Sequence, residues 1–327
     1  MSAYEFVCAQ TSCLIRRQKR ETVEFGSRLP QQLCGGSERA LVQCKVMYDS
    51  AMIKIGEGET AEVFRLEPGK VVKLFRKEFY EEAYFLTEFE TARAVGEQTT
   101  LAPKVLDRVQ MEGRTGYVME EVQGTLFQRE IDANPDRLEH HARLLGHAQR
   151  ALHDNAETRG LDHIPQFKPY FESFYSSIPH FSQDVRDWLN SILIGLPDDA
   201  ALLHGDFMPY NMFLSDGRVQ VIDWAEPVYG PPMAGVARTL HFIVDPTERP
   251  DSVYTKSAQA FIDHYLDAYS ERKTIDRDLL HRCSLLNAAS EYSWAMRSRQ
   301  NDRFVDRIEK FILSNFERYA SDTLFSF

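Results

Sequence analysis

The sequence has no uninterrupted apolar run long enough to cross a bilayer, and no charged-then-apolar N-terminus of secretory form. Close cysteine pairs are missing too. Its five cysteines (Cys8, Cys13, Cys34, Cys44 and Cys283) are odd in number and scattered, which argues against a disulfide framework and for a reducing compartment. The expected localisation is cytoplasmic, with no membrane partner. Positive charge is also short: 38 Lys and Arg stand against 49 Asp and Glu, a formal net charge of −11. That balance disfavours nucleic acid as a partner and is compatible with a cationic substrate. Hydrophobic content is 43% of 327 residues, enough for two modest domains or one domain of two lobes.

Residues 1–46 differ from the remainder of the chain. They hold four of the five cysteines and no hydrophobic period, and their seven basic and four acidic residues give +3, leaving −14 for the rest. The spacings of Cys8 and Cys13 and of Cys34 and Cys44 suit zinc poorly. The glutamates count against a targeting peptide. A poorly ordered extension is expected here, or sequence lying upstream of a start at Met47 or Met52.

What is present concentrates in one stretch. His204-Gly-Asp-Phe-Met-Pro-Tyr-Asn211 leads into Met212-Phe-Leu-Ser215, then Asp216-Gly217, then Arg218 to Asp223-Trp224. Two short apolar runs split by Asp-Gly predict a β-hairpin with a two-residue primed turn. In that register Ser215 faces Arg218, and Tyr210 and Asn211 fall opposite Asp223 and Ile222. An amide and a carboxylate would meet at the open end, with Asp206 arriving from the preceding loop. An oxygen-ligand pair beside a lone aspartate suits Mg²⁺ held over phosphates, with a base aimed at a hydroxyl. Each residue alone is an ordinary turn former. The joint spacing, H-G-D-x-x-x-x-N and then Asp at the end of a second strand, is not ordinary.

On this spacing the sequence resembles the aminoglycoside phosphotransferase family, the small-molecule branch of the protein-kinase-like fold, from about residue 50 to about residue 300. The resemblance implies an α+β, two-lobed protein-kinase-like fold. Residues 47–122 would form a small β-rich N-lobe with the nucleotide-binding sheet and helix. Residues 123–327 would form a larger, mostly helical C-lobe with the catalytic loop, metal site and acceptor-binding helices.

The rest of the chain fits that plan. Met52–Ile55, Gly56–Phe64 and Val71–Phe75 read as strands, with Glu67-Pro-Gly69 as the turn between the last two. Gly56-x-Gly58 lies between strands rather than between a strand and a helix, the context of a flap over nucleotide phosphates. Lys73 is one ammonium in a strand otherwise apolar on both faces, so it needs a partner. Nucleotide phosphates and a helix glutamate would serve. That helix is expected over Glu78–Val95, where Phe79, Ala83, Leu86, Phe89 and Ala92 form a stripe. Glu88 and Glu90 are both candidates, and the family's spacing to Pro103-Lys-Val-Leu106 favours Glu88. Val105–Gln110 and Gly116–Glu120 read as strands. Val118–Gly124 resembles the family's hinge, which implies that backbone groups of Glu120 and Val122 hold the base. Helices are expected over Pro135–His153, over pieces of Phe167–Ile194, and over Pro232–Val244, Val253–Arg272, Arg277–Arg299 and Asp302–Tyr319.

Phosphoryl transfer needs positioning and charge more than covalent chemistry. The roles implied are phosphate binding by Lys73 held by Glu88, Mg²⁺ ligation by Asp223 and Asn211, and orientation of the acceptor hydroxyl by Asp206. His204 is read as structural. The expected activity is transfer of the terminal phosphate of ATP or GTP to a small hydroxylated acceptor, such as an aminoglycoside-like molecule or an amino alcohol. A nucleotide-binding module without catalysis is the alternative, and its mark would be loss of Lys73, Asp206, Asn211 or Asp223; none is lost. A protein kinase is disfavoured because Pro231-Pro232 follow Asp223 too closely for an activation loop. Two departures from the family pattern stand out: Met208 replaces a frequent histidine, and Gly235 replaces an aspartate that often braces the catalytic loop. Glu226, Asp245, Asp263 and Glu291 are the acids that could meet an acceptor ammonium.

Overall fold

The computed structural model describes residues 52–58, 60–155, 161–175, 178, 180–244, 250–298 and 302–324. The extension expected over residues 1–46 lies outside these. The chain divides into two units: the first runs to Leu126 and also takes in Phe213–Ala225, and the second comprises Phe127–Met212 and Glu226–Phe327.

In the first unit the apolar runs become β1 (Ile53–Glu57), β2 (Ala61–Glu67), β3 (Lys70–Phe75), β4 (Val105–Met111) and β5 (Arg114–Glu120). They form one antiparallel sheet of order β1-β2-β3-β5-β4. Central β3 is buried from Val71 to Phe75, as expected of a run that is apolar on both faces. One face carries Leu66, Val72, Leu74, Val109 and Val118, covered by Met52, Phe64 and Met111. The other carries the odd-numbered side chains of β3 and meets α1 (Glu82–Gln98), where Phe75 packs edge-on against Phe85 and Phe85 stacks on Phe89.

Helix α1 starts four residues later than the apolar stripe suggested. Lys77–Phe79 form a turn instead, with the Phe79 amide donating to Arg76 O at 3.1 Å. The helix then opens at Glu81, whose backbone is extended, and places Glu82 in its first turn. A carboxylate there suits the positive end of the helix dipole.

The hairpin of the first unit is built as expected at its tip. Asp216 and Gly217 have φ of 49° and 74°, the two left-handed positions that a type I′ turn demands. The strands are β8 (Met212–Ser215) and β9 (Arg218–Val221), and β8 also pairs with β6 (Thr125–Leu126) through Thr125 and Leu214. The Val221 amide donates to Leu101 O at 2.6 Å. These long-range bonds put Phe213–Ala225 in the first unit, although it lies far along the chain.

In the second unit come α2 (Phe127–Ala133), α3 (Leu138–Asp154), α4 (Phe167–Tyr175), α5 (Gln183–Ile194) and the short strand β7 (Ala201–Leu203). After the hairpin lie β10 (Val228–Gly230), α6 (Pro232–Val244), α7 (Val253–Lys256), α8 (Ala258–Ser270), α9 (Arg277–Ser298) and α10 (Asp302–Leu324). β7 and β10 pair antiparallel, α3 packs along α8, and α6 packs along α9. Tyr254, Phe261, Tyr265, Tyr269 and Leu145 fill the core of this unit. No helix among the described residues is long and apolar enough to cross a membrane.

Candidate active site

The candidate residues fall into two constellations, one per unit. In the first unit the β3–β5 register sets Lys73 opposite Tyr117, so both side chains leave the sheet on the α1 side. Lys73 Nζ donates to Glu88 Oε1 at 2.5 Å and to Asp223 Oδ1 at 2.9 Å. The Tyr117 hydroxyl donates to the same Glu88 oxygen at 2.7 Å. Glu88 is fully buried, and its other oxygen, Oε2, has no partner among the described residues. Burial raises the Glu88 carboxyl above the usual carboxylate range, and the Lys73 charge pulls it back. Glu90, half-buried and turned away from Glu88 around the helix, pairs with Arg93. Geometry therefore separates the two glutamates that periodicity alone left open.

Asp223 sits just beyond β9 with φ of 65°, a left-handed backbone in which Asp is one of the few tolerated side chains. Buried Trp224, whose indole N–H reaches Val221 O at 3.3 Å, anchors the turn. In the glycine-rich stretch, Gly56 lies within β1 opposite Val63, beside an irregularity in the ladder. The Gly58 amide closes the hairpin onto Ala61 O at 2.7 Å, and its carbonyl accepts from Arg76. At the hinge, the Glu120 amide donates to Lys104 O at 2.9 Å, the last bond before the chain leaves β5. The buried Val122 has an amide with no partner among the described residues.

The second constellation is the loop after β7. Pro209 opens a 3₁₀ turn over Pro209–Asn211, because its φ is preset and it has no amide to lose. Tyr210 and Asn211 are therefore in this turn and not in the hairpin ladder, where the extended register had put them. The turn folds them back onto Asp206. Tyr210 donates its hydroxyl to Asp206 Oδ1 at 2.6 Å, and Asn211 Nδ2 donates to Asp206 Oδ2 at 2.9 Å and to Asp206 O at 3.0 Å. Asn211 Oδ1 is left buried and without a hydrogen bond among the described residues. A hard amide oxygen lacking any donor is suited to a hard cation. His204 accepts from the Asp206 amide through Nδ1 at 3.2 Å, which assigns its proton to Nε2 and gives it a structural task.

Gly205, at φ 87°, packs against the Glu226 backbone so closely that a Cβ would lie 2.2 Å from Glu226 O. Its carbonyl accepts from Arg238 Nε. Arg238 also donates to Glu291 Oε1 at 2.8 Å and reaches Glu226 Oε2 at 3.5 Å. Burial opposes the Arg238 charge, yet Glu291, Glu226 and Asp206 outweigh it and hold the guanidinium protonated well above its usual range. Glu226 and Glu291, expected as receptors for an acceptor ammonium, thus already face a cation of the chain itself. Asp263 is exposed and accepts from Gln259 at 2.8 Å, and Asp245 lies outside the described residues.

Tyr117, Tyr210 and Arg238 were not singled out in the sequence. The first had a signal, since a tyrosine directly across from a strand lysine shares its face. Arg238 had one as well, as the one Arg in a mostly apolar helical segment, Pro232–Val244.

Several solved kinases share the fold of this chain. The amicoumacin kinase hAmiN, in complex with AMP-PNP, Ca²⁺ and Ami, matches with a TM-score of 0.60 and 14% identity, over 86% of this chain and 94% of that one. The GDP complex of wild-type aminoglycoside 2′-phosphotransferase-IIIa matches with a TM-score of 0.55 and 14% identity, over 85% and 96%. A choline/ethanolamine kinase family protein from Mesorhizobium loti gives 0.54 and 17%, over 84% and 89%. At these identities the likeness establishes the fold, which is the α+β protein-kinase-like one. No curated protein matches the chain. The sequence profile of the phosphotransferase enzyme family (APH) matches residues 52–278, well over half of the chain, and the chain therefore belongs to that family.

Proposed function

We propose that this protein transfers the terminal phosphoryl group of ATP or GTP, as its Mg²⁺ complex, to a hydroxyl of a small acceptor. Family membership and the kinase neighbours support a small-molecule phosphotransferase. The observation that carries the finer reading is the loop 204–211. It aims two donors at one buried carboxylate, Asp206, and leaves the Asn211 amide oxygen bare.

In this reading the acceptor hydroxyl oxygen attacks the γ-phosphorus, the bond to the bridging oxygen breaks, and the nucleoside diphosphate leaves. Asp206 orients the hydroxyl and takes its proton. Tyr210 and Asn211 hold the carboxylate in place for that task. Lys73 neutralises the nucleotide phosphates and is kept in position by Glu88. The Val122 amide and the Glu120 carbonyl hold the base beneath the Gly56–Gly58 flap. Asn211 and Asp223 would be the ligands of Mg²⁺, which supplies positive charge to the phosphate oxygens when bound. Pro231 follows Asp223 after only seven intervening residues, which supports a small acceptor over a peptide. Aminoglycoside-like molecules and amino alcohols are the acceptors to try first. Scattered cysteines support a cytoplasmic setting.

The test compares Asp206→Asn with Asp223→Asn. Asp206→Asn should keep Mg-nucleotide affinity within a few-fold while turnover falls by roughly 10²–10⁴, the scale of a removed general base. Asp223→Asn should weaken metal-dependent nucleotide binding as well as turnover. Nucleotide titrations with and without Mg²⁺, and phosphate release with an acceptor panel or water, give both quantities. Wild-type turnover in Asp206→Asn would overturn the assignment and leave a nucleotide-binding module.

A further inference from the structure

Gly235 stands where the family resemblance leads one to expect an aspartate bracing the catalytic loop, and the structure has no space for one. A Cβ there would lie 2.9 Å from His153 Nε2, 3.0 Å from His153 Cε1 and 3.2 Å from Leu203 Cδ2. The His153 ring cannot easily swing aside, because its Nδ1 is bound to the Tyr269 hydroxyl at 2.7 Å. Yet the loop is not slack. The Gly205–Asp206 peptide is gripped at both ends: its carbonyl accepts from Arg238 Nε and its amide donates to His204 Nδ1. One residue on, Asp206 O accepts from Asn211 Nδ2 and from the Met208 amide, each at 3.0 Å. Phe207 O then accepts from Thr239 Oγ1 at 3.3 Å. Thr239 in turn accepts from Gln149 Nε2 at 3.1 Å, and Gln149 accepts from the Tyr265 hydroxyl.

Arg238 and Thr239, neighbours on α6, thus reach the two carbonyls that flank Asp206. Thr239 contributes a neutral bond near the long limit. Arg238 contributes a charged one and is itself fixed by Glu291 and Glu226, while its guanidinium lies 4.9 Å from the Phe242 ring centre. Such a fan of donors, to a carbonyl and two carboxylates, matches the planar fork of arginine and not the point charge of lysine.

We propose that Arg238 is the positioning residue of the catalytic loop, fixing the Gly205–Asp206 peptide, and thereby the Asp206 carboxylate, in place of an aspartate at position 235. The role rests on the catalytic reading of Asp206. A peptide plane free to rotate would move the carboxylate by ångströms, and misplacements of about 1 Å cost on the order of 10²-fold in rate.

The test uses the full-length chain with MgATP and MgGTP as probes, measuring nucleotide affinity, phosphate release to water and to an acceptor panel, and hydrogen exchange of the peptides covering residues 203–209. Arg238→Lys keeps the charge and loses the fork. The double variant Arg238→Gln with Glu291→Gln removes one charge of each sign, so that a folded protein is retained if the single variant is unstable. In both, the 203–209 peptides should exchange at least tenfold faster while the rest of the exchange map and the nucleotide Kd stay within twofold. Turnover should fall by 10-fold to 100-fold with KM for nucleotide unchanged. Guanidinium ion at millimolar concentration should recover part of the turnover of Arg238→Ala, and methylammonium should not. Wild-type exchange over 203–209 in a folded variant would overturn the proposal, as would wild-type turnover. Asp206→Asn is the reference: if it alone loses turnover, the positioning role fails and the catalytic reading stands. If Asp206→Asn is as active as wild type, the catalytic reading itself has failed.

Discussion

Removing Lys73 should expose how much of the first unit depends on one buried ion pair. Lys73 is 5% exposed and Glu88 is 0% exposed, so neither charge can turn to water. In Lys73→Met the apolar stem is kept and the ammonium is lost. Glu88 then retains only the Tyr117 hydroxyl as a donor among the described contacts, and Asp223 Oδ1 loses the donor it had at 2.9 Å. Leaving a buried charge uncompensated costs about 3–5 kcal/mol, which for a chain of this size lowers Tm by on the order of 10 °C. Glu88→Gln should be milder, about 1–3 kcal/mol, because Lys73 still has Asp223 and the amide oxygen can still accept from Tyr117. The double variant, Lys73→Met with Glu88→Gln, should cost less than the two singles together by about 1–3 kcal/mol, since the stranded charge has gone as well. Urea unfolding followed by far-UV circular dichroism on all four proteins closes the cycle. Additivity within about 0.5 kcal/mol would refute the reasoning, and so would a Lys73→Met protein as stable as wild type. The same variants should bind MgATP more weakly, and Lys73→Met more so than Glu88→Gln.

The second unit supplies two further expected outcomes. Burial, with the Arg150 charge beside it, lowers the His153 pKa from 6.5 to about 3, so the folded protein holds this ring neutral while the unfolded chain protonates it near 6.5. The stability it confers is complete above pH 6.5 and is lost as pH falls toward 3; by pH 5 the loss from this group is about 2 kcal/mol, and His153→Gln should flatten that limb of a Tm-against-pH curve, parallel curves being the contrary result. Gly235→Ala should destabilise: overpacking against the tethered His153 ring costs about 1–3 kcal/mol, more than the gain of up to about 1 kcal/mol in helix propensity, and urea unfolding at or above the wild-type midpoint would contradict this.

Local physics made much of the protein readable in advance. The Asp216-Gly217 turn, the all-apolar run around Lys73 and the 3.6-residue stripe ending near Val95 are encoded within a few residues of one another, and the structure contains each of them. The spacing of His204, Asp206 and Asn211 was equally plain, and the family profile covers it. The hairpin register does not extend to Tyr210 for an equally local reason, because Pro209 starts a 3₁₀ turn instead of a strand.

Long-range contacts were a different matter. Periodicity allowed both Glu88 and Glu90 to face Lys73, and only the packing of α1 on the sheet put Glu88 inside and Glu90 beside Arg93. Glu226 and Glu291 looked like open carboxylates because their partner, Arg238, is 12 and 53 residues away. The same distance hid the brace on Gly205, 33 residues from Arg238. Turns, strand and helix periods and the chemical groups of the motif depend on neighbours along the chain, so they are legible before any fold is known. Which carboxylates carry a charge into the site and which are neutralised inside it depends on folding, because the partners of a buried charge meet in space and not along the sequence.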